Sequence, residues 1–174
     1  MDRAALFEYA LRSLSARAQS LGELREKLAR RAERAEDIAP VLARLKESGF
    51  LDDRRYAESI AASRLENQGL GKARVLRDLR QRRVAPAVAE KAVEGAYREA
   101  DEIALIEAYL RRKYRNVAFE EFLAEPKNLA AAYRRLRTAG FGSANAVRVL
   151  KRLARDAEAL DSIEDGEDAE RGLE

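Results

Sequence analysis

The chain has 174 residues, with 34 Lys and Arg against 31 Asp and Glu, and neither Cys nor His. Without Cys there are no disulfides, thiolate nucleophiles or Cys-ligated zinc; without His the commonest general base and metal ligand are gone. The formal charge of +3 hides an asymmetry: residues 1–155 sum to +11 and residues 156–174 to −8.

The sequence reads as helix almost throughout. A first amphipathic stripe, Leu6, Ala10, Leu11 and Leu14, predicts a helix over about residues 3–18. Ser20 and Glu23 are spaced as a capping box, opening a second helix with Leu21, Leu24 and Leu28 on one face. Asp37 is expected to cap a third, with Pro40 in its first turn, Val41, Leu42 and Leu45 inward, and Gly49 at its end. Asp52 or Asp53 caps a fourth, with Tyr56, Ala57, Ile60 and Ala61 inward, and residues 67–71 break the chain. A fifth helix carries Val75, Leu76 and Leu79. Pro86 starts a sixth, which fades near Tyr97. A seventh begins near Asp101 and uses Ile103, Ile106 and Leu110; residues 115–125 form a loop with a helical turn at 120–123. Pro126 begins an eighth, ending at Gly140, and Ser143 or Asn145 caps a ninth. No segment alternates as a strand does, and the acidic tail is expected to be disordered beyond Leu160.

These helices repeat in threes. Residues 24–45 align with 132–153 at an offset of 108 without a gap, so that Leu28 falls on Leu136, Asp37 on Asn145 and Leu42 on Leu150. Residues 75–93 supply a looser middle copy, with Leu79 in the place of Leu28. The expected fold is all-α: an elongated array of three tandem three-helix modules, residues 1–53, 54–97 and 98–155, followed by the tail at 156–174. Helical arrays bury faces against neighbours and leave a long outer surface for a partner. The 34 alanines and 11 Phe and Tyr imply a thin core spread along the chain. No apolar run reaches the ~18–20 residues of a membrane span and no signal-peptide core is present, so a cytoplasmic, membrane-free monomer is expected.

Catalytic signals are absent from the sequence. Gly69-Leu70-Gly71-Lys72 lacks the length and preceding strand of a phosphate cradle and reads as a helix breaker. Asp52-Asp53 suits a helix N-terminus better than a metal. Ser13, Ser15 and Ser20 have no activating base. The expectation is a binding protein, with no cofactor, metal or catalytic residue. The candidate binding residues are basic: Lys72, Arg74, Arg77 and Arg80 on the fifth helix, crowded further by Arg82 and Arg83; Arg111 and Lys113 on the seventh; Arg134 and Arg135 on the eighth; Arg148 and Arg152 on the ninth. Arg74 and Arg77 are expected to face solvent. Guanidinium forks take phosphate and carboxylate alike, so these clusters point to an anionic partner, nucleic acid or an acidic protein surface; the alternative is a set of solvated helix faces.

One string carries more information. Ala10-Leu11, Leu14, Arg17, Ser20, Glu23-Leu24 and Lys27-Leu28, then Leu45, Gly49-Phe50-Leu51-Asp52-Asp53 and Tyr56-Ala57, with Arg64 and Gly69, resemble in order and spacing the bacterial regulatory family RecX, over about residues 5–155. The resemblance implies three tandem three-helix modules that bind in the groove of the RecA recombinase filament on DNA. It further implies inhibition of ATP hydrolysis, strand exchange and filament growth, and allows weak direct contact with DNA. Residues 81–85, Gln-Arg-Arg-Val-Ala, depart from the family, which often has Gly before the apolar residue, so a different turn is expected there. Two other readings are a helix-turn-helix DNA-binding protein, for which Asn145 and Arg148 are the available base readers, and a structural adaptor. The acidic tail is expected either to compete for the arginine surface or to act as a solubilising extension.

Overall fold

The computed structural model describes residues 1–154, and the expectations for the tail lie outside the described residues. All regular structure described is helical: α1 (Arg3–Ala16), α2 (Leu21–Ala29), a 3₁₀ turn (Ala35–Asp37), α3 (Ile38–Glu47), α4 (Asp53–Gln68), α5 (Lys72–Gln81), α6 (Pro86–Ala96), α7 (Glu102–Lys113), α8 (Phe119–Leu123), α9 (Pro126–Thr138) and α10 (Ser143–Leu153). The turn expected inside the 115–125 loop is α8, so the expected eighth and ninth helices are α9 and α10. Two compact units result: Met1–Arg64 with Val75–Arg98, and Leu65–Arg74 with the described part of Glu99–Glu174.

In the first unit, α3 packs on α1 and α2. Leu6, Ala10, Leu24, Leu28 and Leu45 are fully buried there, with Leu51 beside them. The rest of that unit is cored by Ala57, Ala61, Val75, Leu79, Ala89, Ala92 and Val93, with Tyr56 and Tyr97 also buried. Ile60 and Leu76, expected inward, are only half-buried. In the second unit, α10 packs on α7 and α9, and α8 on α9. Ile106, Leu110, Leu129, Tyr133, Leu136, Phe141 and Leu150 form its centre. Leu28, Leu79 and Leu136, equivalent in the three repeats, all have no exposed area.

Several helix starts follow the expected chemistry. Ser20 completes the capping box, its hydroxyl accepting from the Glu23 N–H at 3.0 Å while the Glu23 carboxylate accepts from the Ser20 N–H at 3.1 Å. Burial pushes the Glu23 carboxyl upward, but this hydrogen bond and Arg17 outweigh burial and hold it below its ordinary value. Asp101 caps α7, and Pro86 and Pro126 open α6 and α9. At the fourth helix the two carboxylates divide the work. Asp52 accepts from the Arg55 N–H at 3.0 Å, whereas Asp53 reaches away to the N–H of Leu21 at 2.6 Å.

Two expected caps are corrected. Asp37 makes no side-chain cap to α3; its carboxylate accepts from Arg3 Nε at 2.8 Å. Asn145 and Ser143 do not cap α10 either. The Glu102 carboxylate takes the Gly142 N–H at 2.9 Å and the Asn145 side-chain amide at 2.5 Å. The two corrections share a cause. Asp37 and Asn145 are equivalent repeat positions, and each is claimed by the first residue of the first helix of its own repeat, Arg3 or Glu102. A tertiary partner of opposite or complementary polarity displaces the local cap.

A third correction concerns residues 81–85. Instead of a different turn, Arg83, at the position where the family often has Gly, takes the left-handed conformation itself, with φ +58°, as do Gly49 at +73° and Gly140 at +92°. All three end a helix with the same pair of bonds. The Phe50, Val84 and Phe141 N–H groups return to the carbonyls of Leu45, Leu79 and Leu136 at 2.9, 3.1 and 3.2 Å. The Gly49, Arg83 and Gly140 N–H groups return to Lys46, Arg80 and Arg137 at 3.0, 2.9 and 3.0 Å. The turn therefore keeps its shape and Arg83 carries the strain of a side chain there.

The start of one repeat's second helix also seats on the end of the next one's. In the first unit the Ser20 hydroxyl donates to the Arg82 carbonyl, and a Cβ on Gly22 would lie 2.4 Å from the Arg83 carbonyl oxygen. In the second, the Gly71 and Ala73 N–H groups donate to the Ala139 and Gly140 carbonyls at 2.9 and 3.2 Å, and a Cβ on Gly71 would lie 2.2 Å from the Gly140 carbonyl. Orphan carbonyls of a helix end are thus satisfied by the neighbouring repeat, and only glycine allows the approach.

Candidate partner-binding surface

The basic residues singled out from the sequence divide by environment. On α5, Lys72, Arg77 and Arg80 are exposed. Arg74, expected to face solvent, is half-buried because its backbone lies against Gly140, whose Cβ would fall 2.2 Å from the Arg74 nitrogen. Arg82 and Arg83 lie beyond the end of α5 and tie the fold together: Arg82 Nη1 donates to the Tyr56 hydroxyl at 2.9 Å, and Arg83 pairs with Glu26 at 2.9 Å. Burial raises the Tyr56 pKa, which the Arg82 contact only partly offsets. Helical periodicity could not show these roles, because both residues follow Gln81, the last residue of α5.

In the second unit the arginines converge on acidic and aromatic groups. Arg111 lies 3.3 Å from Glu107, and Arg152 of α10 contacts the same carboxylate. Lys113 and Arg112 stand over the Tyr109 ring at 5.7 and 5.6 Å, and Arg135 over Tyr114 at 5.5 Å. Arg134 and Arg148 are exposed on α9 and α10. Arg111 and Arg152 are thus brought together, across two helices, while Arg134 and Arg148 project from separate ones.

One feature escaped composition and periodicity. Phe50 is 57% exposed although its neighbour Leu51 is buried. The left-handed Gly49 turns the chain so that Phe50 projects beside a cleft of about 370 Å³ that Leu14, Arg55 and Ile60 also line. The Gly-Phe pair itself was visible, but its counterpart Gly140-Phe141 has no exposed ring area. Only the packing beyond the turn distinguishes them. An exposed aromatic beside arginine is the side-chain chemistry of protein-interface hot spots.

Among the described residues no helix is long and apolar enough to cross a membrane, and no group of three or more Asp or Glu could hold a metal ion.

Residues 7–45 match the family model for the first three-helix domain of RecX, and residues 52–93 that for the second. The Regulatory protein RecX of Trichlorobacter lovleyi is 30% identical over 132 residues, 76% of this chain and 80% of the relative. The chain belongs to the RecX family of regulatory proteins. The RecX of Halorhodospira halophila is 40% identical over 110 residues, 63% of this chain and 66% of that relative. That of Deinococcus radiodurans is 33% identical over 64% of this chain and 52% of its own length. The matches thus span about half to two thirds of these two relatives. The crystal structure of RecX from Lactobacillus salivarius superposes with a TM-score of 0.65 at 17% identity, covering 87% of this chain and 96% of that one. That likeness establishes a common helical fold reaching beyond the two matched domains.

Proposed function

We propose that this chain binds the RecA recombinase filament on DNA and inhibits its ATPase, strand exchange and filament growth, and so modulates DNA repair and recombination. Residues 1–53, 54–97 and 98–155 act as three modules, each contributing binding residues. Its carrying observation is membership of the RecX family, joined to a body whose charge of +11 is displayed as exposed arginines on helices from both units. The action is that of a regulator without catalytic chemistry: steric and conformational, clamping filament subunits or blocking addition at the growing end. The proposed contacts are Lys72, Arg77, Arg80, Lys113, Arg134, Arg135 and Arg148, with Arg74, Arg111 and Arg152 reached through their partly shared surroundings, and Phe50 as an apolar anchor.

A helix-turn-helix reading needs free base-reading side chains on a third helix. Of the two base readers available in the sequence, Asn145 is engaged by Glu102 while Arg148 is exposed on α10, so this reading keeps one of its two. Co-sedimentation with RecA–DNA filaments, compared with DNA alone and accompanied by the DNA-dependent ATPase rate, tests the proposal. Retention on filaments with a depressed ATPase is expected. Tight sequence-specific binding to bare DNA with unchanged ATP hydrolysis would overturn it; binding to filaments without any ATPase effect would make the protein a structural adaptor.

A further inference from the structure

The second unit carries a cleft of about 610 Å³ lying between α7, α10 and the segment after α7. Its floor is apolar: Leu110, Tyr114, Phe119 and Leu153, with Val117 42% exposed at the edge. Its rim is basic, formed by Arg111, Arg115 and Arg152. Among the described lining residues only Glu107 opposes them, and Arg111 and Arg152 already share that carboxylate. An apolar floor inside a rim with two positive charges in excess suits an occupant that alternates apolar and acidic side chains.

The chain itself contains such a segment, and it starts at the cleft. Leu153 lines the floor and ends α10. Beyond it, Ala157, Leu160 and Ile163 recur every third residue, interleaved with Asp156, Glu158, Asp161, Glu164 and Asp165. Leu160 lies seven positions beyond Leu153, a reach of up to about 23 Å when extended. Tethering at the rim gives an effective concentration on the order of millimolar, so even a weak contact would be populated.

We propose that residues 156–165 dock in this cleft, with Leu160 and Ile163 on the apolar floor and the intervening carboxylates on Arg111, Arg115 and Arg152. The docked segment covers two of the candidate binding arginines and makes their availability depend on its release. This occupancy rests on the cleft and the sequence, and stands whichever partner the protein has.

Because the chain has no Cys, a single nitroxide placed through Gly166→Cys reports on the full-length protein. Paramagnetic broadening of backbone amides is then compared with that in a chain also carrying Leu160→Ser and Ile163→Ser. The two chains share the tether and differ only in the anchors. Docking predicts that relaxation enhancement at Leu110, Arg111, Tyr114 and Val117 falls several-fold in the serine chain. It also predicts a fall on raising salt from 0.05 to 0.5 M, since the Debye length shrinks from above about 10 Å to below 8 Å. Arg115→Glu should weaken the enhancement in the same direction. A change of less than two-fold between the chains would refute docking. So would equal broadening in a mixture of isotope-labelled, nitroxide-free chain with unlabelled nitroxide chain, which would mean that a second copy fills the cleft.

Discussion

Arg83 sits where a side chain is conformationally disfavoured, and the glycines around it show why the position tolerates one. The close approach in that joint is made by Gly22, not by residue 83, so the helix end needs its turn but leaves room for the Arg83 side chain to reach Glu26. Gly22→Ala would drive a methyl into the Arg83 carbonyl, and Gly140→Ala would drive one into the Arg74 backbone at a φ of +92°. Each is expected to destabilise by about 1–3 kcal/mol. Gly95→Ala, with nothing within 4 Å of the added carbon, should stabilise by about 0.5–1 kcal/mol. Urea midpoints at unchanged m-value check all three. Tyr97 supplies a pH test. Burial raises its hydroxyl to about 12, so the folded state holds this proton more tightly than the unfolded state. Its contribution is complete below the ordinary tyrosine value near 10 and is lost as pH rises through about 12. Stability should decline between pH 10 and 12, and Tyr97→Phe should flatten that decline relative to the parent.

At the level of elements, one local device serves opposite ends. Gly49-Phe50 and Gly140-Phe141 close helices with the same bonds, yet the first ring is exposed and the second is fully buried against Tyr109, 5.6 Å away edge to face. Phe141→Ala is expected to cost about 3–5 kcal/mol. Phe50→Ala should change stability by less than about 0.5 kcal/mol while weakening filament retention, if the proposed interface uses it. Thermal melts and co-sedimentation on the same two proteins separate these roles. Unaltered retention of the Phe50 variant would remove the ring from the interface. Helix α5 divides its labour similarly. Its inner face holds Val75, Leu79 and a buried Asp78, 3.0 Å from Arg64, while Arg77 and Arg80 remain outside.

Across the whole molecule the charge distribution sets the expected binding behaviour. Exposed charge pairs are each worth at most about 1 kcal/mol, so two reversals together should weaken an anionic contact by about ten-fold. Arg77→Glu with Arg80→Glu, and separately Arg134→Glu with Arg148→Glu, are expected to lower filament affinity to that extent at 0.1 M salt without changing the unfolding free energy from urea titration by more than about 0.5 kcal/mol. The loss should shrink as salt rises. Unchanged retention in both double variants would make these clusters solvated helix faces. The repeated helix ends satisfy one another's backbone groups and meet without room for an added Cβ. Substitutions at those joints should therefore be felt more than substitutions at the arginine faces.

Most of the helical fold was legible in the residues alone. The 3.6-residue spacing of Leu24 and Leu28, the capping box at Ser20, the prolines at 86 and 126, and the recurrence of Leu28, Leu79 and Leu136 are local signals, and local energetics decide helix starts and inward faces. The order of GFLDD and its flanking residues pointed to the family for the same reason: it is a linear pattern. What local reading could not reach were choices between equally good partners. Asp37 and Asn145 are sound helix caps until Arg3 and Glu102 arrive from distant helices with stronger contacts. Arg82 and Arg83 are indistinguishable from other basic residues until Tyr56 and Glu26 lie beside them. Phe50 and Phe141 follow the same turn, and their difference is decided by what packs beyond it. The cleft bounded by Arg111 and Arg152 exists only because α7 and α10 bring residues about forty positions apart onto one carboxylate. Sequence fixes the periodic, short-range terms; the long-range terms, in which polar and aromatic groups choose among partners, are decided by tertiary packing, because only packing sets which groups lose their water and which must therefore be paired.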